Sequence, residues 1–404
     1  MKNLRFISYL LALTAFVLVS CDDDDNDGPG VLPTGQSKTF ALSSVADPAI
    51  SGTATFNALD NGSTSIELML NGTPDGGSHP AHIHFNTAAE GGDIAVSLTS
   101  VDGSTGMSTT IVSATDAGDP LTYYDLLDFD GYINVHFSAD DLATLVAQGD
   151  IGQNELTGMS KDFALASVAD PNISGTAMFY ERVNGETLVT LALENTPAEG
   201  MHPAHIHFNT AAEGGGIAVT LGIVDGNTGM SKTNVSMLDD GSMMLKYDDL
   251  LDFDGYINVH LSADDLATLV AQGDIGQNEL TGMSMSYDLN EVDVAGVSGT
   301  VDFRERVNGE TLVEINLTGT TFAGDHPTHI HLGSVAEAPG AIAVTLTSVN
   351  AMGVSKSNVT ILDDGSAMLS YSDLVAFDGY INVHNSAADL GTLVAQGDIG
   401  ANGN

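Results

Sequence analysis

Asp125-Leu-Leu-Asp-Phe-Asp-Gly-Tyr-Ile-Asn-Val-His136 decides how this chain is read, because Asp249 to His260 repeats it without a change. Its second half alternates: Ile133, Val135 and Phe137 fall on one side of an extended backbone, and Tyr132, Asn134 and His136 on the other. Asp130-Gly131 before it is a turn signal. The stretch therefore reads as a strand with one face toward a core, inside a unit that recurs.

Working outward, Leu142 to Ser160 is identical to Leu266 to Ser284, and the stretch that begins at Ser37 returns with small changes from Ser160. A third, more divergent copy begins near Met283. Each unit is about 123 residues, the size of a single domain and far longer than a solenoid repeat. The expected divisions are residues 1–20, a lipoprotein signal peptide; 21–36, a lipidated cysteine with an acidic and Gly/Pro linker; and three domains at 37–158, 159–282 and 283–404. Within a unit, short runs such as Ser65-Ile-Glu-Leu-Met-Leu70 and Ile94-Ala-Val-Ser-Leu98 lie between Asn-Gly, Gly-Gly and Asp-Gly turns. The expected fold is all-β: three tandem antiparallel sandwiches or barrels, immunoglobulin-like or superoxide-dismutase-like. Each would carry one short helix, placed over Ala139 to Val146 with Ser138 as its cap. The Gly-Gly pairs at 76 and 91 are turn signals rather than nucleotide motifs, and the methionines, 14 in all, are expected to fill the core.

Charge and cysteine count narrow the chemistry. With 10 Lys+Arg against 54 Asp+Glu the net charge is −44, so phosphate backbones are repelled and nucleic acid is excluded as a partner. The single cysteine, Cys21, follows a positive and then apolar leader too short to span a bilayer comfortably. Leu18-Val-Ser-Cys21 resembles a bacterial lipoprotein box, which implies that Cys21 is lipidated. Asp22-Asp-Asp-Asp-Asn-Asp27 resembles the acidic stretch that directs Bacteroidetes-type lipoproteins to the outer face of the outer membrane. That leaves no thiol for a disulfide or a metal.

Histidine is the residue type that stands out. There are 12, in three sets of four: His79, His82, His84 and His136; His202, His205, His207 and His260; His326, His329, His331 and His384. In a strand, Ala81, Ile83 and Phe85 share the core face while His82 and His84 share the other. If the strand of His136 lies beside it, three imidazoles converge with His79 in the preceding loop. Such a set suits Zn or Cu, one ion per domain. Candidate acceptors that would fix the histidine tautomers are Asp128, Asp130 and Asn134, with Asp252, Asp254 and Asn258, and Asp378 and Asn382. The other reading is a structural network, in which the histidines hydrogen-bond carbonyls and one another. Calcium fits less well, since Asp128-Phe-Asp-Gly131 offers only two spaced carboxylates.

Each unit resembles the CHRD domain, the repeat named for chordin. The resemblance rests on Ala81-His-Ile-His84 with the downstream Gly91-Gly-Asp-Ile-Ala-Val-Ser-Leu98, on Tyr132-Ile-Asn-Val-His136 and on Gln148-Gly-Asp-Ile-Gly152. It implies an extracellular β-sandwich. The family commonly closes on Gly-Glu-Ile-Arg-Gly, and these copies lack that arginine. The His-x-His pair with a later Val-His also resembles the copper side of Cu/Zn superoxide dismutase, without its disulfide or zinc-side ligands. The expected function is a non-catalytic, lipid-anchored surface protein that binds metal, an extracellular protein, a matrix component or a glycan. A mononuclear Cu or Zn enzyme is the alternative. For glycans the aromatic supply is Tyr123, Tyr124, Tyr132 and their counterparts, as the chain has no tryptophan.

Overall fold

The computed structural model describes residues 31–319 and 324–403. The leader, Cys21 and the acidic stretch lie outside the described residues. Three sets of eight antiparallel strands follow one another, at 33–152, 156–276 and 280–400, each starting a few residues before the repeat boundary read from the sequence.

In the first set the strands are β1 (Pro33–Ser44), β2 (Ser51–Leu59), β3 (Thr64–Asn71), β4 (Ser78–Phe85), β5 (Ile94–Asp102), β6 (Met107–Val112), β7 (Asp130–Ser138) and β8 (Asp141–Gly152). They pair in the order β1-β2-β3-β6-β5-β4-β7-β8 and close into a barrel. Closure is thin. β1 meets β8 through two residue pairs, and β5 meets β6 only at Asp102 and Met107. The unit is thus a flattened barrel, two four-stranded sheets joined at their corners, which places it between the two architectures expected. The second set closes in the same way, while the third has no β5–β6 pairing and stays an eight-stranded sheet. Its corresponding hairpin, Asn350-Ala-Met-Gly353, is one residue shorter than Asp102-Gly-Ser-Thr-Gly106.

The period-two pattern builds the core. Phe40, Phe56, Ile66, Leu68, Ile83, Ile133, Val135, Val146 and Ile151 are buried on the inner faces. Phe40 and Phe56 meet edge to face at 5.1 Å, a geometry that adds about 0.5–1.5 kcal/mol to the area they bury. Two members of the predicted apolar set do not belong to it: Phe85 and Phe137 are exposed. Register shifts interrupt β4 after Ile83 and β7 after Val135, so alternation is lost at the strand ends. The methionines are not core residues either. Met69, Met159, Met244, Met352 and Met368 are all exposed, and among the described residues no methionine is a buried hydrophobic. They occupy outward strand positions and turns.

The short helix also lies elsewhere. α1 is Tyr123–Leu127, capped by Thr122, whose hydroxyl accepts from the Asp125 amide while the Asp125 carboxylate accepts from the Thr122 amide. Leu126 and Tyr123 turn into the barrel end. Residues 139–146, where the helix was expected, form the β7–β8 turn and the start of β8. Ser138 Oγ does accept from Asp141 N at 3.1 Å, the contact of an N-cap, but here it closes a tight hairpin in which Ser138 pairs with Asp141. Among the described residues no helix is long and apolar enough to cross a membrane.

Candidate metal centre

β4 lies between β5 and β7, with Ala81 opposite Val135 and Ile83 opposite Ile133. That register carries His82, His84 and His136 to the outer face of one sheet. One nitrogen of each lies within 4.8 Å of the others, and His205, His207 and His260, and His329, His331 and His384, form the same group.

The rings are held by main chain. His84 Nδ1 is 2.9 Å from Gly92 O and His136 Nδ1 is 2.7 Å from Leu142 O. A carbonyl only accepts, so both Nδ1 atoms carry the proton and both Nε2 atoms keep a lone pair. His84 Nε2 is buried with no hydrogen-bond partner, as are His207 Nε2 and His331 Nε2. His82 brings Nδ1 to 3.2 Å from His136 Nε2, and His205 to 3.1 Å from His260 Nε2. Two ligands of a tetrahedral ion at 2.0–2.1 Å lie ~3.3 Å apart, so this spacing fits a shared ion as well as a hydrogen bond. Tyr132 stacks on His84 at 5.0 Å and 18°, and its hydroxyl accepts from Gly92 N, fixing ring and loop together.

Burial lowers the pKa of His82 and then the neighbouring His136 and His84 lower it further, against a smaller upward pull from Asp116. Burial likewise lowers that of His136, opposed by its bond to Leu142 O. The counterparts shift the same way. These six rings are therefore biased toward the neutral form, the one that binds metal.

The fourth histidine is not part of the group. His79 lies in β4 rather than in a loop, points to the inner side with Ala81, is 1 % exposed, and its Nδ1 is 3.2 Å from His136 O. His202 and His326 reach the main chain of the neighbouring strand in the same way. Nor do the expected acceptors hydrogen-bond the histidine rings, although Asn134, Asn258 and Asn382 lie across the strands from His82, His205 and His329. Asp130 and Asp254 accept from Asn154 and Asn278, and Asp378 from Asn402. Asn134, Asn258 and Asn382 accept from Gln148, Gln272 and Gln396. Asp128 and Asp252 cap the ends of short helices. Their places are taken by the carbonyls of Gly92 and Leu142, which carry no side-chain signal, and at longer range by Asp116, held by Ser97. Gly92 did have a signal. A Cβ there would sit 2.0 Å from Phe85 O, so the Gly-Gly pair is both a turn and the close approach that delivers the carbonyl.

The tyrosines form no shared platform. Tyr123 and Tyr132 are buried, with Tyr247, Tyr256, Tyr371 and Tyr380, while Tyr124 is exposed. Asp248 and Ser372 stand at the positions that correspond to Tyr124. Compared with protein-family models, with curated proteins and with solved structures, the chain matches none of them.

Proposed function

We propose that the chain is an exported, lipid-anchored binding protein whose three barrels each hold one transition-metal ion, Zn or Cu, on a histidine triad. The observation that carries this reading is the buried Nε2 of His84, His207 and His331, left without a partner while its Nδ1 is committed to a carbonyl. A buried acceptor without a donor costs about 1–3 kcal/mol, and a metal ion shared with the other two rings would satisfy it. His79 and His202 also carry a buried, unpaired Nε2 but stand outside the groups, so the convergence of three rings is what sets His84, His207 and His331 apart. The chemistry supplied by such an ion is binding or Lewis acidity; the chain supplies neutral, oriented imidazoles.

Elemental analysis tests it on the chain from residue 28 onward, prepared without a histidine tag, loaded with Zn or Cu and dialysed. Three ions per chain are expected, one for each triad. No retained metal, with alanine at the triads lowering only the melting temperature, would make the histidines structural.

The surface location rests on the Leu18-Val-Ser-Cys21 box and the acidic stretch behind it. Membership of the CHRD type rests on the repeated motifs. Lipid labelling that vanishes in Cys21→Ala would support the anchor; unchanged labelling would remove it. A second reading, a mononuclear metalloenzyme, is favoured by His82, His205 and His329 being only half-buried, which leaves one side of the triad toward solvent. Superoxide dismutation or hydrolysis by the metal-loaded chain, lost in His84→Ala, would select it.

A further inference from the structure

Asp150, Asp274 and Asp398 hold the same place in the last strand of each barrel, inside the Gln-Gly-Asp-Ile-Gly run. In each, Oδ1 accepts from a backbone amide, of Ala88 at 2.8 Å, Ala211 at 2.8 Å and Val335 at 2.7 Å. In the first two, Oδ2 receives a guanidinium from the following barrel. Arg182 Nη1 donates to Asp150 at 2.8 Å, and Arg306 Nη1 to Asp274 at 2.7 Å. Both arginine side chains are fully buried. Each also donates to the main-chain oxygen of Asn154 or Asn278, and through Nε to Asn234 or Asn358.

The third barrel presents the same acceptors. Asn402 is held by Asp378 at 2.7 Å and Gly333 O at 3.1 Å, as Asn154 is held by Asp130 at 2.8 Å and Asn86 O at 3.0 Å. Among the described residues no cation reaches Asp398. An open recess of about 200 Å³ lies there, lined by Tyr287, Asp288, Asn290, Asp398, Asn402 and Gly403.

A second copy of this chain is the wrong occupant. Its first barrel has Leu59 and Ile111 at the positions of Arg182 and Asn234. Its own preceding segment already fills that end, with Leu32 O accepting from Asp60 N as Glu155 O accepts from Val183 N. We propose that the end of the third barrel is an arginine socket that takes a β-hairpin from outside residues 31–403. The hairpin tip would carry arginine followed two residues on by Asn-Gly, as in Arg182-Val-Asn-Gly185 and Arg306-Val-Asn-Gly309. The half-buried acceptor pair selects arginine over lysine, because one guanidinium reaches carboxylate and main-chain oxygen together and keeps further donors for an acceptor on its own side.

The probe is a labelled cyclic peptide reproducing Phe179 to Leu188, titrated with the full chain and followed by fluorescence anisotropy. Saturable one-to-one binding is expected. It should weaken at least tenfold when the peptide carries Arg182→Leu or the chain carries Asp398→Asn, a change that keeps the Oδ1 acceptor for Val335 N. Asp47→Asn, an equal loss of charge at a remote exposed site, should leave it unchanged. Absence of saturation at millimolar peptide, survival of binding in either variant, or an equal loss with Asp47→Asn would overturn the socket. The result does not depend on whether the triads bind metal.

Discussion

The two nitrogens of His84 have different tasks, one tied to Gly92 O and one buried and open, and that division is what a lone sequence hides. Alternation along Ala81 to His84 and Tyr132 to His136 was enough to put His82, His84 and His136 on one face, because strand periodicity is a side-chain property. It could not reveal backbone acceptors, and it misplaced His79, which lies on the inner face of its strand. The charge state of the rings yields a pH prediction. For His82, His136 and their counterparts the folded pKa lies below the usual 6.5, chiefly through burial. Above about pH 7 neither state binds these protons and the stability is complete. As the pH falls through 6.5 toward the lowered folded values, the unfolded chain takes up protons first and the native state loses ground. Fewer ionised carboxylates would act the other way by easing self-repulsion. The measurement is therefore a difference: metal-free melting temperature from pH 7.5 to 5, native chain against one with asparagine at all six shifted histidines. A steeper fall in the native chain is expected, and parallel curves would show that the rings titrate normally.

At the scale of elements, the loop from Asn86 to Asp93 and the β7–β8 hairpin do for the site what carboxylates were expected to do. The hairpin was the harder of the two to read. Ser138, Asp141 and Leu142 carry the local signature of a capped helix, and only the pairing of β8 with β7 and β1 decides for a strand. That pairing puts Leu142 O on His136 Nδ1. The loop was legible as a turn but not as a support. Gly92→Ala separates the two roles, since its Cβ would meet Phe85 O at 2.0 Å and the loop would have to move with its carbonyl. Losing the group that orients a ligand histidine typically costs 10–100-fold in metal affinity. The variant should retain two ions under dialysis conditions that leave three on the native chain, or show one site weakened by that factor in a titration. Three ions of unchanged affinity would mean that Gly92 O is dispensable. The same substitution at Gly215 or Gly340, which face Phe208 O and Leu332 O at 1.9 Å, should each remove a different site.

For the whole molecule, repetition was legible from identical stretches, but the joints were not, because their partners lie in different repeats. Nothing in Arg182 alone announces Asp150. The comparison that gives it away is between copies: arginine at 182 and 306, leucine at 59, and asparagine at 234 and 358, isoleucine at 111. The barrel with no predecessor in the described chain has apolar residues where the others have a buried cation and its acceptor. Arg182→Leu therefore tests the joint between the first two barrels. It removes one partner of an ion pair whose side chains are 0 % and 14 % exposed, which costs about 3–5 kcal/mol where the remaining charge stays buried. Here Asp150 can regain water by separation of the barrels, so the loss should appear as loosening before unfolding. Expected are faster proteolysis at Gln153 to Glu155, a larger radius of gyration in solution scattering, and unchanged metal content, since no triad residue touches Arg182. Adding Asp150→Asn should recover part of the protection by removing the unpaired charge. If Arg182→Leu leaves cleavage and radius as they were, the barrels are held by their three-residue linkers and the bonds that Val183 and Asn184 make to them, and the arginine is not the joint.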